Sequence, residues 1–418
     1  MTVDAIPDAR THAERLDRLA EVAVKVGLGL RPGQELVMTA PIEAVDLARR
    51  IAEQAYRAGA STVTTLYADD AAALARYRYA PDASFDHAPA WLYEGMAAAF
   101  KSGAARLAIA GDDPSLLAGQ DPDRVARANR ARSRAYLPAL ELIAGFATNW
   151  TIVSAATPAW ARAVFPDEPE SVAVARLWDA IFAASRIDAA DPIAAWTGHN
   201  QALAVRTARL NAGRFAALRF RGPGTDLTVG LASDHEWCGG ATEARNGVVC
   251  NANIPTEEVF TTPHKDRVDG VVRSTKPLAY QGTVIEDIEV RFAGGRIVEA
   301  TARTGGDVLA KVIETDDGAR RLGEVALVPA SSPIARSGLL FYSTLYDENA
   351  SSHIALGQAY SKCFVNGGVD LSEEDLVARG ANRSLIHIDW MIGSAQVDVD
   401  SIAPDGTATP VMRGGEWA

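Results

Sequence analysis

The sequence predicts an α/β protein in two parts: an N-terminal α/β domain with a largely parallel sheet over residues 1–213, and a β-rich α+β domain over 214–418. Two observations predict it. Strand-like apolar runs alternate with amphipathic helical runs through the first half, which is the pattern of βαβ units on a parallel sheet. Near residue 213 the texture changes to short β-branched runs separated by glycine turns, the pattern of antiparallel hairpins. A length of 418 residues suits two or three domains at about 150 residues each.

The elements follow in chain order. Glu35–Thr39, after the turn Arg31-Pro32-Gly33, reads as a strand. A helical pattern opens at Pro41, carries Ala44, Leu47, Ala48, Ile51 and Ala55 on one face, and is closed by Gly59. Ser61–Tyr67 is β-branched and strand-like, and Leu107–Ala110 and Thr151–Val153 are two further strand runs. Pro192–Ala212 is helical again and ends near Gly213. Beyond it, Ala216–Phe220 and Leu227–Leu231 flank Gly222-Pro223-Gly224, and Ile288–Phe292 and Arg296–Val298 flank Gly294-Gly295. Helices are expected at about 308–315 and 352–362.

Composition narrows the function classes. Apolar residues make up 48% and charged residues 22%, as in an ordinary globular chain, which excludes disorder and fibres. Forty-one basic against 53 acidic residues leave a net charge of −12, so a nucleic-acid partner is disfavoured. The three cysteines are too scattered for a disulfide framework, and neither an apolar leader nor a membrane-spanning run is visible. The expectation is a cytoplasmic protein with no membrane partner.

Seven histidines are present, and two of them sit beside carboxylates. In Ile386-His387-Ile388-Asp389-Trp390 the His-x-Asp spacing aims both polar side chains at one face of an apolar strand. A carboxylate buried there needs a cation or several donors to stay charged, although a structural His–Asp pair also satisfies it. In Asp347–Tyr360, His353 and Tyr360 stand seven residues apart, two turns along one face if the segment is a helix capped by Asn349 or Ser351. A phenol so placed could donate to a developing oxyanion. Glu257 and Glu258 are adjacent, so on a strand they point to opposite faces; Glu324 interrupts the apolar run Leu322–Leu327, where an unpartnered carboxylate is costly. Zinc, cobalt and manganese accept mixed nitrogen and oxygen ligands of these types, and two dications offset the mutual repulsion of clustered carboxylates.

Five segments, PTEEVFTTP (255–263), STKPL (274–278), LGEVALV (322–328), YDENASSHIALGQAY (346–360) and IHIDWMIG (386–393), together resemble the aminopeptidase T / aminopeptidase S family of metallopeptidases. The resemblance runs from about residue 30 to the C-terminus. It implies that 214–418 is a metal-binding catalytic domain, that the enzyme is a two-metal aminopeptidase, and that it works as a homodimer. Carried over by position, Glu258, Glu324, His353, His387 and Asp389 would hold the ions, with Glu324 as the bridge and Tyr360 beside them. The interval from His353 to His387 is a few residues long against the family pattern, as from an insertion around Gly367–Arg379.

The reading that follows is hydrolysis of the N-terminal peptide bond by a water activated between two divalent ions (Zn, Co or Mn), with Glu257 as general base and Tyr360 as oxyanion donor. The alternative is a non-haem Fe(II) ring-cleaving dioxygenase using His353, His387 and Asp389 alone, a site that has no use for both Glu258 and Glu324. His264 and Arg267 lie close after the two glutamates and are possible substrate contacts. Leu107–Asp113 ends a strand with two acids and reads as a turn or helix cap, and His235-x-x-Cys238 lacks the second pair a structural zinc needs.

Overall fold

The computed structural model describes residues 10–280, 283–368 and 371–418. Residues 1–9, part of the N-terminus read as carrying no leader, and residues 369–370, inside the expected insertion, lie outside the described set. Two compact units form: one up to His199 together with Ala241–Pro255, the other Asn200–Gly240 with Thr256–Ala418.

In the first unit, strands β1 (Leu36–Pro41), β2 (Val63–Ala68), β3 (Ala105–Ala110) and β4 (Trp150–Ser154) form one sheet in the order β2-β1-β3-β4. Every pairing is parallel, as the alternation predicts. The helix Val45–Arg57 buries Leu47, Ala48, Ile51 and Ala55. These positions repeat at 3.6-residue spacing, so one stripe faces inward. Asp113 accepts from the Ser115 N–H and hydroxyl, so this end of Leu107–Asp113 is a capped turn.

The expected boundary at 213 is corrected in two ways. The helix Pro192–Gly213 is divided at His199, because Leu203 and Leu210 belong to the apolar core of the second unit. The segment 241–255, with the two-residue strands β7 (Thr242–Glu243) and β8 (Val249–Cys250), returns to the first unit. It does so because the Ile152 N–H donates to Ala252 and the Ile254 N–H to Ile152, extending the parallel sheet by one bridge.

The second unit contains β5 (Ala217–Gly222), β6 (Thr225–Leu231), β9 (Val259–Thr261), β10 (Pro263–Arg273), β11 (Leu278–Tyr280), β12 (Thr283–Ile285), β13 (Glu289–Ala293), β14 (Arg296–Thr301), β15 (Leu322–Leu327), β16 (His353–Gly357), β17 (His387–Met391), β18 (Asp398–Ile402), β19 (Ala408–Arg413) and β20 (Glu416–Trp417). Eight of them make a sheet in the order β14-β13-β10-β6-β5-β18-β19-β20, and four make a second, β17-β16-β15-β9. Both sheets are antiparallel and share a core that includes Phe220, Val229, Val325, Ile354 and Trp390. The β13–β14 hairpin turns on Gly294 and Gly295 at φ 56° and 78°, the positive values a two-residue turn requires. A side chain at Gly295 would also strike the Lys265 carbonyl.

The helix expected at 308–315 is present as Gly306–Ile313. The one expected at 352–362 is not: His353–Gly357 is strand β16, in the middle of the four-stranded sheet. All five of its residues are buried, and β15 and β17 pair with it on either side. A strand covered on both faces loses its two-residue alternation, and a short apolar run of that kind cannot be told from a buried helix by periodicity.

Candidate metal centre

The four-stranded sheet places its polar side chains by register. Asp389 pairs with Ala355, His387 with Gly357, and Glu324 with the same Ala355 from the other side. Cross-strand partners share a face, and so do residues two apart on one strand, so His353, Glu324, His387 and Asp389 all project from one side of the sheet. The two positions beneath them are alanine and glycine, which leave that side open.

Glu324 reaches this face through a bulge. The ladder begins at Leu322↔Leu356 and resumes at Glu324↔Ala355, one residue out of step. Unbroken pairing would set Glu324 against Ile354 and turn it to the opposite side. Gly323 permits the bulge, because a Cβ there would lie 2.3 Å from the Gln358 carbonyl oxygen.

The distances converge. His353 Nε2 lies 3.2 Å from Glu258 Oε2, 3.6 Å from Glu324 Oε1 and 4.0 Å from Asp389 Oδ1. His387 Nε2 lies 3.8 Å from Glu324 Oε2 and 3.5 Å from Asp389 Oδ1. Glu324 thus turns one oxygen toward each imidazole. The other ring nitrogens are committed to the backbone, His353 Nδ1 to the Ser351 carbonyl at 3.1 Å and His387 Nδ1 to that of Gln358 at 2.7 Å. Such bonds fix the tautomer and leave Nε2 free as a donor to a cation.

Charge at this place is badly compensated by protein alone. His353, Glu258, Glu324 and Asp389 are all buried. Burial raises Glu324, with Asp389 and Glu258 adding repulsion, and it raises Glu348 far above its ordinary range together with the same neighbours. Burial alone would depress His353, but the Glu258 and Glu324 carboxylates raise it well above normal. His387, likewise desolvated, is pushed up to about 9 by Asp389 and Glu324. Glu258 Oε2, His353 Nε2 and Asp389 Oδ1 have no hydrogen-bond partner among the described residues. Buried charge of this density costs several kcal/mol per group unless a cation compensates it. Glu258, Glu324 and His353 each offer an atom within 4.8 Å of the others. A mixed carboxylate and imidazole set suits a divalent ion of the zinc, cobalt or manganese kind.

Tyr360 does not lie two helical turns from His353. It follows β16 and immediately precedes the short 3₁₀ turn Ser361–Cys363. Its ring still packs 4.7 Å from the His387 ring and 6.3 Å, edge-on, from Phe260. Tyr360 is 40% exposed, but local desolvation and the surrounding carboxylates Glu324, Asp389, Glu348 and Glu258 push its phenol well up, so it stays protonated and able to donate.

Glu257 and Glu258 lie just before β9 rather than within it. Glu258 faces His353. Glu257 is equally buried, its N–H donates to Asn349 Oδ1 at 2.7 Å, and its charge is felt by the Arg206 guanidinium. His264 packs its ring on Gly380, and Arg267 donates to the Ala216 carbonyl. Among the described residues, the ion pairs of the cluster include neither.

Sequence reasoning passed over Glu348 and read Asn349 only as a helix cap. The 3₁₀ turn Glu348–Ala350 brings the Glu348 carboxylate to the cluster, where it perturbs Tyr360 alongside Glu324, Asp389 and Glu258. Asn349 is wholly buried and ties its own turn to the Glu257 segment, accepting from the Glu257 N–H and donating to the Leu345 carbonyl and more weakly to Glu348. The available signal was an Asp-Glu-Asn run five residues before an apolar histidine strand.

Comparison with known proteins agrees with this chemistry. The family model described as "Thermophilic metalloprotease (M29)" matches residues 12–417. Aminopeptidase T of Thermus thermophilus is 58% identical over 402 residues, covering 96% of this chain and 98% of that one. The solved structure of wild-type AmpT from the same organism superposes with a TM-score of 0.93 at 57% identity, over 98% of this chain and 100% of that one. A 2,5-dihydroxypyridine dioxygenase from Pseudomonas putida covers 98% of each chain with a TM-score of 0.53 but 12% identity, a likeness of fold alone. This chain belongs to the thermophilic metalloprotease (M29) family and is a hydrolase of peptide bonds.

Proposed function

We propose that the chain is a two-metal aminopeptidase that removes the N-terminal residue of peptides, with Glu258, Glu324, His353, His387 and Asp389 holding two divalent ions (zinc, cobalt or manganese). The observation that carries this reading is the placement of Glu324, whose two oxygens face different imidazoles at 3.6 and 3.8 Å. A carboxylate so placed suits a bridge between two ions. Glu258, Glu324, Glu348 and Asp389 also present four carboxylates whose charge two dications balance. When bound, the ions would supply Lewis acidity and lower the pKa of a water toward neutrality.

The protein's own groups do the rest. His353 and His387, anchored through Nδ1, present Nε2 without rotational freedom. Glu257 takes the proton of the attacking water and passes it to the leaving amine, the role of a positioned general base. Tyr360, kept as a neutral phenol, donates to the oxyanion that develops on the scissile carbonyl. The acidic surroundings favour the α-ammonium of a free N-terminus over a blocked one. A cytoplasmic homodimer belongs to the same reading, supported by the family resemblance and three free cysteines; no helix among the described residues is long and apolar enough to cross a membrane.

The test is hydrolysis of aminoacyl amides by the purified chain before and after chelation. Loss on chelation with recovery on adding Zn²⁺, Co²⁺ or Mn²⁺ supports the reading. Undiminished hydrolysis in the metal-stripped protein overturns it.

A further inference from the structure

Cys238 and Cys363 are far apart in sequence and adjacent in the fold. Backbone pairing brings their segments together: the Glu236 N–H donates to the Cys363 carbonyl at 2.7 Å, and His235 bridges Phe364 in antiparallel fashion. The Cys238 thiol lies 3.6 Å from the Lys362 carbonyl and packs against the apolar cluster of Phe260, Ala326 and Cys363. The two cysteine side chains thus share one small apolar cluster. Cys238 is half-buried, so a small reagent can reach it, whereas Cys363 is enclosed.

The pair is chemically unequal. The neighbouring Cys363 side chain and the Lys362 ammonium make Cys238 ionise more readily than a free thiol, while burial holds Cys363 protonated. A more acidic, reachable thiol beside an enclosed one is the arrangement of an attacking and a resolving cysteine.

We propose that Cys238 and Cys363 are an oxidisable dithiol that a peroxide converts into an intramolecular disulfide, and that this bond disturbs Tyr360. The Cys238 thiolate attacks one peroxide oxygen, giving a sulfenic acid and releasing one water after proton transfer. The Cys363 thiol then attacks that sulfur, the S–O bond breaks, and a second water leaves. The two thiols lose two electrons and two protons, and the peroxide is reduced to two waters. The Cys363 N–H donates to the Tyr360 carbonyl at 3.3 Å, and the turn Ser361–Cys363 begins directly after Tyr360. Drawing the Cys363 sulfur to bonding distance of Cys238 pulls on that turn and on the phenol next to His387.

The test treats the intact, metal-loaded protein with a modest excess of hydrogen peroxide, then follows free thiols, the non-reduced peptide map and hydrolysis of an aminoacyl amide. Two of the three thiols should disappear, a peptide linking 238 to 363 should appear, and turnover should fall and recover with dithiothreitol. Cys238→Ser should keep its turnover through the same treatment. Activity of the untreated wild type separates failure of this inference from failure of the aminopeptidase reading, and the peptide map does not depend on activity. Absence of the 238–363 peptide, or its presence with unchanged turnover in an active enzyme, overturns the proposal.

Discussion

Glu324 stands directly across from Ala355, one residue out of the register in which its strand begins. That slip separates a carboxylate buried uselessly in the core from one that faces both imidazoles. Gly323 makes the slip possible, and so a residue with no chemistry of its own decides whether the centre assembles.

Gly323→Ala is therefore expected to damage the site more than the fold. Its Cβ would meet the carbonyls of Gly357 and Gln358 at 2.4 and 2.3 Å. Backbone at that distance must shift, at about 1–3 kcal/mol. Metal content should fall with hydrolysis while circular dichroism remains near wild type. Full metal content in a folded Gly323→Ala protein would show that the bulge is not needed.

The legibility of this architecture in the sequence was uneven, and each gap has a cause. The parallel sheet was visible because its strands and helices alternate with distinct periods, and the β13–β14 hairpin because Gly294-Gly295 tolerates the positive φ that a two-residue turn needs. His353, His387 and Asp389 stood out as polar residues in apolar runs. β16 was misread because a strand covered on both faces has no alternation to show. Glu348 was missed because its polar neighbours disguise it as a solvated turn, and only tertiary packing brings that turn to the cluster. The unit boundary was displaced because one helix serves two cores.

The metal-free protein should lose stability as the pH rises from about 6.5 to about 9. An imidazole raised in the folded state stabilises it fully below its unfolded pKa of about 6.5, and that contribution is lost through the folded value. For His387 the folded value is about 9, and His353 shifts the same way. Glu324 and Glu348 act with the same sign, since their raised pKa values mean the folded state prefers them protonated. Metal uptake across this window should release protons and tighten with pH. Thermal midpoints of the stripped protein and proton release during Zn²⁺ titration check both. A midpoint that climbs across the window contradicts the assignment.

Polarity of cleavage is the next expectation. A peptide with a free α-amine should be cut from its N-terminus, and the same peptide N-acetylated should resist. Equal cleavage of the two, followed by mass spectrometry of the products, would point to endopeptidase or amidase chemistry instead.

The three neighbouring glutamates should separate by role. Glu258→Ala should lower metal content and activity together, because the remaining groups cannot hold the ions. Glu257→Gln should keep its metal and lose roughly 10²–10⁴-fold in kcat, the usual worth of a positioned base. Glu348→Gln should weaken metal affinity without abolishing turnover. If Glu348→Gln keeps its metal and loses kcat while Glu257→Gln keeps both, the base is Glu348.

The most direct measurement is metal stoichiometry on wild type and Glu324→Ala after reconstitution with Zn²⁺ and removal of excess. The account predicts about two ions per wild-type chain, the number a bridging carboxylate between paired sites requires, and a marked loss in Glu324→Ala. A single tightly held ion in wild type, unchanged in Glu324→Ala, would contradict it.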